Sequence, residues 1–238
     1  VAIAAAGYLA GPRVSVDTTV HFDPSVIGAN PQAYLEKSEA TVADIRPGLG
    51  KEIIWADPAT RAKTPLAIVY VHGFSASKGE VRPLPDLVAQ ALGANLFYTR
   101  LKGHGQDNAA MGTASLNDWI NDYQEAPAIG HAIGDKVVVI APSTGAALAV
   151  HAATVPGGSD GVVGLAMISP NFGIQASGSW LMTGPWGLRI AELLIGKERS
   201  FKTRNGMQEK LWTWRYPTRA LLPMAALTEL AYGAPVEN

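Results

Sequence analysis

Three stretches of this chain, PLAIVYVHG at 65–73, KVVVIA at 136–141 and GVVGLAMIS at 161–169, are apolar at successive positions and leave no polar face. A strand of that kind has to be covered on both sides, and between these stretches lie segments of helical length. Strands buried on both faces and alternating with helices imply a mostly parallel sheet in a three-layer α/β/α sandwich. Two further strands are expected at KEIIWA, 51–56, and NLFYTRL, 95–101, the first separated from PLAIVYVHG by the polar turn DPATRAKT. Helices are expected around Glu80 to Leu92, around Ser115 to Ile129 and from Ser143 onward. Ser115 and Asp118 have the spacing of a capping box.

On this pattern residues 50–170 form the core. Residues 1–49, with Pro24, Pro31 and Pro47, form an irregular leader holding one short helix near PQAYLEKSEATV. Residues 171–233 break the alternation and carry Trp180, Trp186, Trp212 and Trp214, four of the six tryptophans. They are expected to form a helical cap inserted after the sixth strand of the sheet, and 234–238 would return toward the core. Within the cap, WGLRIAELLIG places Ile190, Leu193 and Leu194 at helical spacing, and its excess of Lys and Arg reads as a solvated face.

A formal charge of −1, from 19 basic against 20 acidic residues, offers no excess of positive charge to hold a nucleic acid, and a small uncharged or neutral substrate is the more natural expectation. The absence of cysteine removes disulfides, thiolate metal sites and a cysteine nucleophile. No metal and no cofactor are expected, and oligomeric state is left open. The first residues, VAIAAAGYLAG, are too short an apolar run to span a bilayer alone. They read either as the tail of a signal or anchor, giving a membrane association and a bacterial membrane-anchored or periplasmic location, or as an ordinary first element of a cytoplasmic protein.

Ser143 stands where the KVVVIA strand gives way to the small-residue helix STGAALAVHAA. Groups at the carboxyl ends of parallel strands face the crevice where ligands bind. A sharp strand-to-helix turn needs small neighbours such as Ala141 and Gly145, and it exposes the hydroxyl while setting the Thr144 amide beside it. The alternative at this position is a serine that only caps the following helix. Upstream, IVYVHGFSAS ends a strand at His72-Gly73, so that the Phe74 amide can face the same crevice; His72 is expected to hold that loop through hydrogen bonds. TRLKGHGQD adds a second loop, Gly103-His104-Gly105, after the next strand.

In this order, the strand-HG pair, the strand-GHG loop and the serine corner resemble the α/β-hydrolase superfamily, and within it the carboxylesterase and monoacylglycerol-lipase-like enzymes, over roughly residues 50 to 238. The resemblance implies carboxylic ester hydrolysis through an acyl-enzyme on Ser143, with the amides of Phe74 and Thr144 as oxyanion donors. It makes His104, with His72 and Gly73, a loop-shaping residue. Ala141 replaces the usual first glycine of G-x-S-x-G, and Pro142 precedes the nucleophile. Trp180 and Trp186 either line an acyl-binding surface or pack the cap itself.

The superfamily orders its triad Ser, acid, His, yet the last histidine here is His151, eight residues along the helix that Ser143 begins, and His131 precedes the nucleophile strand. Two expectations compete. The polypeptide continues beyond Asn238 with strands that carry the acid and base and cover the apolar GVVGLAMIS edge, or the protein is a non-catalytic relative that binds a small lipophilic ligand.

Overall fold

Side chains alternate between the two faces of a strand, and here each face finds its own core. The computed structural model describes residues 7–174 and 176–235. Strands β1 (Glu52–Ile54), β2 (Thr64–Tyr70), β3 (Asn95–Tyr98), β4 (Gly134–Pro142) and β5 (Val162–Ile168) form one sheet in the order β1-β3-β2-β4-β5. β1 is antiparallel to β3 and the remaining pairs are parallel. On one face Ala67, Val69, Val71, Val137 and Val139 pack with Trp119, Ile129 and Leu148. On the other, Ile68, Tyr70, Leu96, Tyr98 and Ile140 pack with Ala89. The result is the three-layer α/β/α architecture. Among the described residues β5 is an edge strand, with Val163 and Met167 exposed.

The helices are α1 (Pro31–Ala40), α2 (Leu84–Leu92), α3 (Leu116–Ile133) and α4 (Ser143–Ala153), followed by α5 (Gly187–Ile195), α6 (Gly206–Leu211) and α7 (Leu221–Tyr232). α3 starts on the capping box: the Ser115 side chain accepts from the Asp118 amide and the Asp118 carboxylate from the Ser115 amide. α2 begins at Leu84 and not at Glu80. A residue before proline is pushed out of the helical region, and Pro83 delays the start, leaving Glu80 in the preceding loop; Pro85 is tolerated in the first turn, where no intrahelical N–H is needed.

Residues 176–235 are not wholly helical. Between α5 and α7 lies a two-stranded antiparallel sheet of β6 (Glu198–Ser200) and β7 (Arg215–Pro217), which pairs Arg199 with Tyr216. The leader is tied to the body: Ile27 and Leu35 are buried in the core, and the Asn121 side chain accepts the amides of His21 and Phe22 at 2.6 and 2.9 Å. Among the described residues no helix is long and apolar enough to cross a membrane. Val1–Ala6 of the apolar start and Val236–Asn238 of the last stretch lie outside the described residues.

Register places the site. Tyr70 is level with Tyr98 on one side and with Ile140 on the other, and Pro142 is level with Ile168. The segments that leave β2, β3, β4 and β5 therefore emerge at one end of the sheet.

Candidate active site

β4 passes into α4 with no intervening loop, and the joint is Ser143, held in the left-handed region at φ 48°. That region costs a residue with a Cβ about 1–2 kcal/mol, so the packing around the corner has to impose it. Gly145 is one cause. A Cβ there would stand 2.1 Å from the Val71 carbonyl oxygen, so only glycine lets α4 lie this close to the end of β2. Ala141 is fully buried in β4, where little room remains. The Ser143 carbonyl accepts from the Asn171 amide at 3.1 Å, which ties the corner to the segment leaving β5. Ser143 itself is half-buried, and the first amides of α4, Thr144 among them, have no carbonyl of their own helix to bond.

Gly73 lies against this corner. A Cβ placed on it would be 3.2 Å from Ser143 Cβ. The next amide, that of Phe74, has no hydrogen-bond partner among the described residues. An unbonded backbone N–H remains free to donate a hydrogen bond.

Two buried histidines build this loop. His72 Nε2 accepts the Leu101 amide at 3.0 Å, and its Nδ1 lies 2.9 Å from the Gly73 carbonyl, so Nδ1 carries the proton. His104 repeats the arrangement: Nε2 accepts the Ser75 amide at 3.1 Å and Nδ1 lies 3.2 Å from the Lys102 carbonyl. Each imidazole therefore stitches the loop after β2 to the loop after β3, and the two rings pack with centroids 4.8 Å apart. Burial pushes His72 down to about 4, and burial together with the neighbouring His72 pushes His104 well below its ordinary value. Both rings stay neutral, and neither has a lone pair free to take a proton.

His151 is at the far end of α4, and His131 Nε2 lies 3.0 Å from the Asp160 carbonyl, at the opposite end of the sheet. Among the described residues no histidine is hydrogen-bonded to Ser143, and no group of three or more His, Cys, Asp or Glu side chains could hold a metal ion.

Residues 211–216 cover the loop. The Thr213 amide donates to the Ser75 carbonyl at 2.7 Å, and Tyr216 meets Phe74 edge-on with centroids 5.2 Å apart. The two tryptophans singled out in the sequence lie apart from each other. Trp186 faces the leader: its amide donates to the Pro12 carbonyl at 2.8 Å and its indole N–H to the Gly7 carbonyl at 3.2 Å. Trp180, largely exposed, lines a cleft of about 390 Å³ with Phe172, Ile174, Ala225 and Tyr232. Sequence reading missed Glu80, Asn171 and Tyr216. Glu80 was hidden inside an expected helix, and no motif marks the other two.

Residues 62–212 match the family model described as serine aminopeptidase, S33. A thermostable monoacylglycerol lipase of Bacillus sp. (strain H-257) is 33% identical over 70 residues, or 29% of this chain and 28% of that protein. The match thus spans well under half the length of this curated relative. Among solved structures, one described with LipS and LipT, two metagenome-derived lipolytic enzymes, has a TM-score of 0.62 at 20% identity, covering 79% of this chain and 71% of that chain. The crystal structure of the Paleococcus ferrophilus monoacylglycerol lipase has a TM-score of 0.50 at 15% identity, covering 77% and 71%. At these identities the two structures speak for the fold.

Proposed function

The chain belongs to the serine aminopeptidase S33 family and has the α/β-hydrolase fold, and from that membership we propose that the protein hydrolyses carboxylic esters of lipophilic substrates through an acyl-enzyme on Ser143. The observation that carries this reading is the corner itself. A serine held at φ 48° between a strand and a helix packs against Gly73, and the unbonded amide of Phe74 follows.

Ser143 Oγ attacks the acyl carbonyl, forming the C–O bond as its proton passes to a base. The carbonyl electron pair moves onto oxygen, and the amides of Phe74 and Thr144 donate hydrogen bonds to that oxyanion from preorganised positions. The tetrahedral intermediate collapses, the ester C–O bond breaks, and the alcohol leaves with a proton. Water then cleaves the acyl-enzyme by the same steps. Neither His72 nor His104 is the base in this reading, since both ring nitrogens of each are engaged. Their work is to fix the loop that carries Phe74.

The acyl chain runs toward the apolar cleft of Phe172, Ile174 and Trp180. That cleft begins one residue after Asn171, which is bonded to Ser143. The monoacylglycerol lipase among the relatives fits a lipophilic ester, whereas the family description fits an aminoacyl amide, so the assay includes both. The whole protein is expected to turn over p-nitrophenyl esters of short and medium chain length. Ser143→Ala is expected to lose a factor on the order of 10³ or more in kcat. Equal rates in the two proteins would remove Ser143 from the mechanism. Turnover confined to aminoacyl p-nitroanilides would replace the ester by a peptide substrate, and ester binding without turnover would replace catalysis by ligand binding.

A further inference from the structure

We propose that Glu80 is the positioning residue of the oxyanion loop, holding the Gly73 peptide so that the Phe74 amide stays free beside Ser143. Glu80 Oε2 accepts the Gly73 amide at 2.8 Å and the Tyr70 hydroxyl at 3.1 Å. A Cβ on Gly73 would lie 2.8 Å from Glu80 Oε1 and 3.2 Å from Ser143 Cβ. Glu80 Oε1 and Ser143 Cβ are therefore no farther apart than those two contacts laid end to end, and both lie against Gly73.

The carboxylate is itself held in place. The Glu80 amide donates to the Ser77 carbonyl at 3.0 Å. Two residues before it, Lys78 is buried and bonded to Glu52 of β1 at 2.6 Å. Tyr70, the last residue of β2, is fully buried with its ring against Tyr98 of β3 at 5.4 Å, so its hydroxyl cannot follow a moving loop. Gly73 is thus pinned from the sheet through Tyr70 and Glu80, while the residues on either side of the Gly73-Phe74 pair are pinned from the other loop through His72 and His104. Three anchors act on four consecutive residues, and between the bonded amides of Gly73 and Ser75 that of Phe74 has no hydrogen-bond partner among the described residues. Burial pushes the Glu80 carboxyl above the usual carboxylate range, against the Gly73 amide and the Tyr70 hydroxyl, which lower it.

The inference rests on the ester-hydrolase reading, and its test separates the two. In the whole protein, Glu80→Ala is expected to lower kcat on p-nitrophenyl butyrate on the order of 10²-fold with KM within about 2-fold, because a misplaced donor weakens transition-state binding and not ground-state binding. Rates are expressed per Ser143 titrated by a fluorophosphonate, so that loss of folded protein does not count. Glu80→Gln keeps an acceptor oxygen for the Gly73 amide and is expected to retain kcat within about 5-fold. Where Glu80→Ala does not fold, Glu80→Asp gives the same reading, since its shorter side chain withdraws the acceptor from Gly73. Unchanged kcat per titrated site in Glu80→Ala or Glu80→Asp, beside an active parent, would overturn the role of Glu80 alone. A parent protein with no esterase activity would overturn the ester-hydrolase reading and, with it, this role in ester hydrolysis.

Discussion

Ser143 occupies a backbone conformation that favours glycine, and that separates its structural cost from its chemical use. At an ordinary helix position Ala is more stable than Gly by about 1 kcal/mol, whereas at φ near 50° the order reverses because Cβ meets the following carbonyl. Ser143→Gly is therefore expected to be more stable than Ser143→Ala by about 1 kcal/mol in urea unfolding, with both variants inactive on esters. The opposite order would mean that the corner relaxes in solution and that the serine is not held as described. His72 and His104 make the complementary case. The sequence already expects both to shape the loop, and each ring has a hydrogen-bond partner at both nitrogens.

At the scale of elements, the corner depends on how closely α4 approaches β2. Gly145→Ala would set a methyl group 2.1 Å from the Val71 carbonyl oxygen, and backbone on both sides leaves nothing soft to yield. A loss of about 3 kcal/mol in unfolding free energy is expected, with at least a 10²-fold fall in kcat as the corner shifts. A stable, active variant would show that this packing does not set the nucleophile. The elements that hold the site were readable because apolar strands and a capping box are local signals: β2, β4, β5 and the start of α3 are where pattern places them. The start of α2 and the β6–β7 pair were not. In the first, Pro83 overrides helical composition. In the second, Glu198–Ser200 and Arg215–Pro217 have no apolar alternation and are joined by pairing and a Glu198–Arg215 ion pair, which no local window contains.

Over the whole molecule, segments far apart in sequence converge on the loop that carries Phe74. Arg46 of the leader donates from its backbone to the Gly105 carbonyl at 2.7 Å and from its guanidinium to the carbonyls of Lys210 and Trp212 at 3.1 and 3.2 Å. Thr213 then donates to Ser75. The three sequence motifs could be ordered from the chain alone, but the partners that align them, Glu80 in a loop read as helix and Thr213 and Tyr216 from residues 211–216, are contacts without a motif. All of these contacts are read as serving one group, the Ser143 hydroxyl, and its reactivity is the central claim. The direct measurement is reaction of the whole protein with a fluorophosphonate, in which Ser143 Oγ displaces fluoride from phosphorus, followed by mass spectrometry of the peptide that contains Ser143. One equivalent of phosphonate on Ser143, formed as esterase activity is lost, is the predicted result; esterase activity that persists with Ser143 unmodified, or is lost on modification of a different residue, would contradict it.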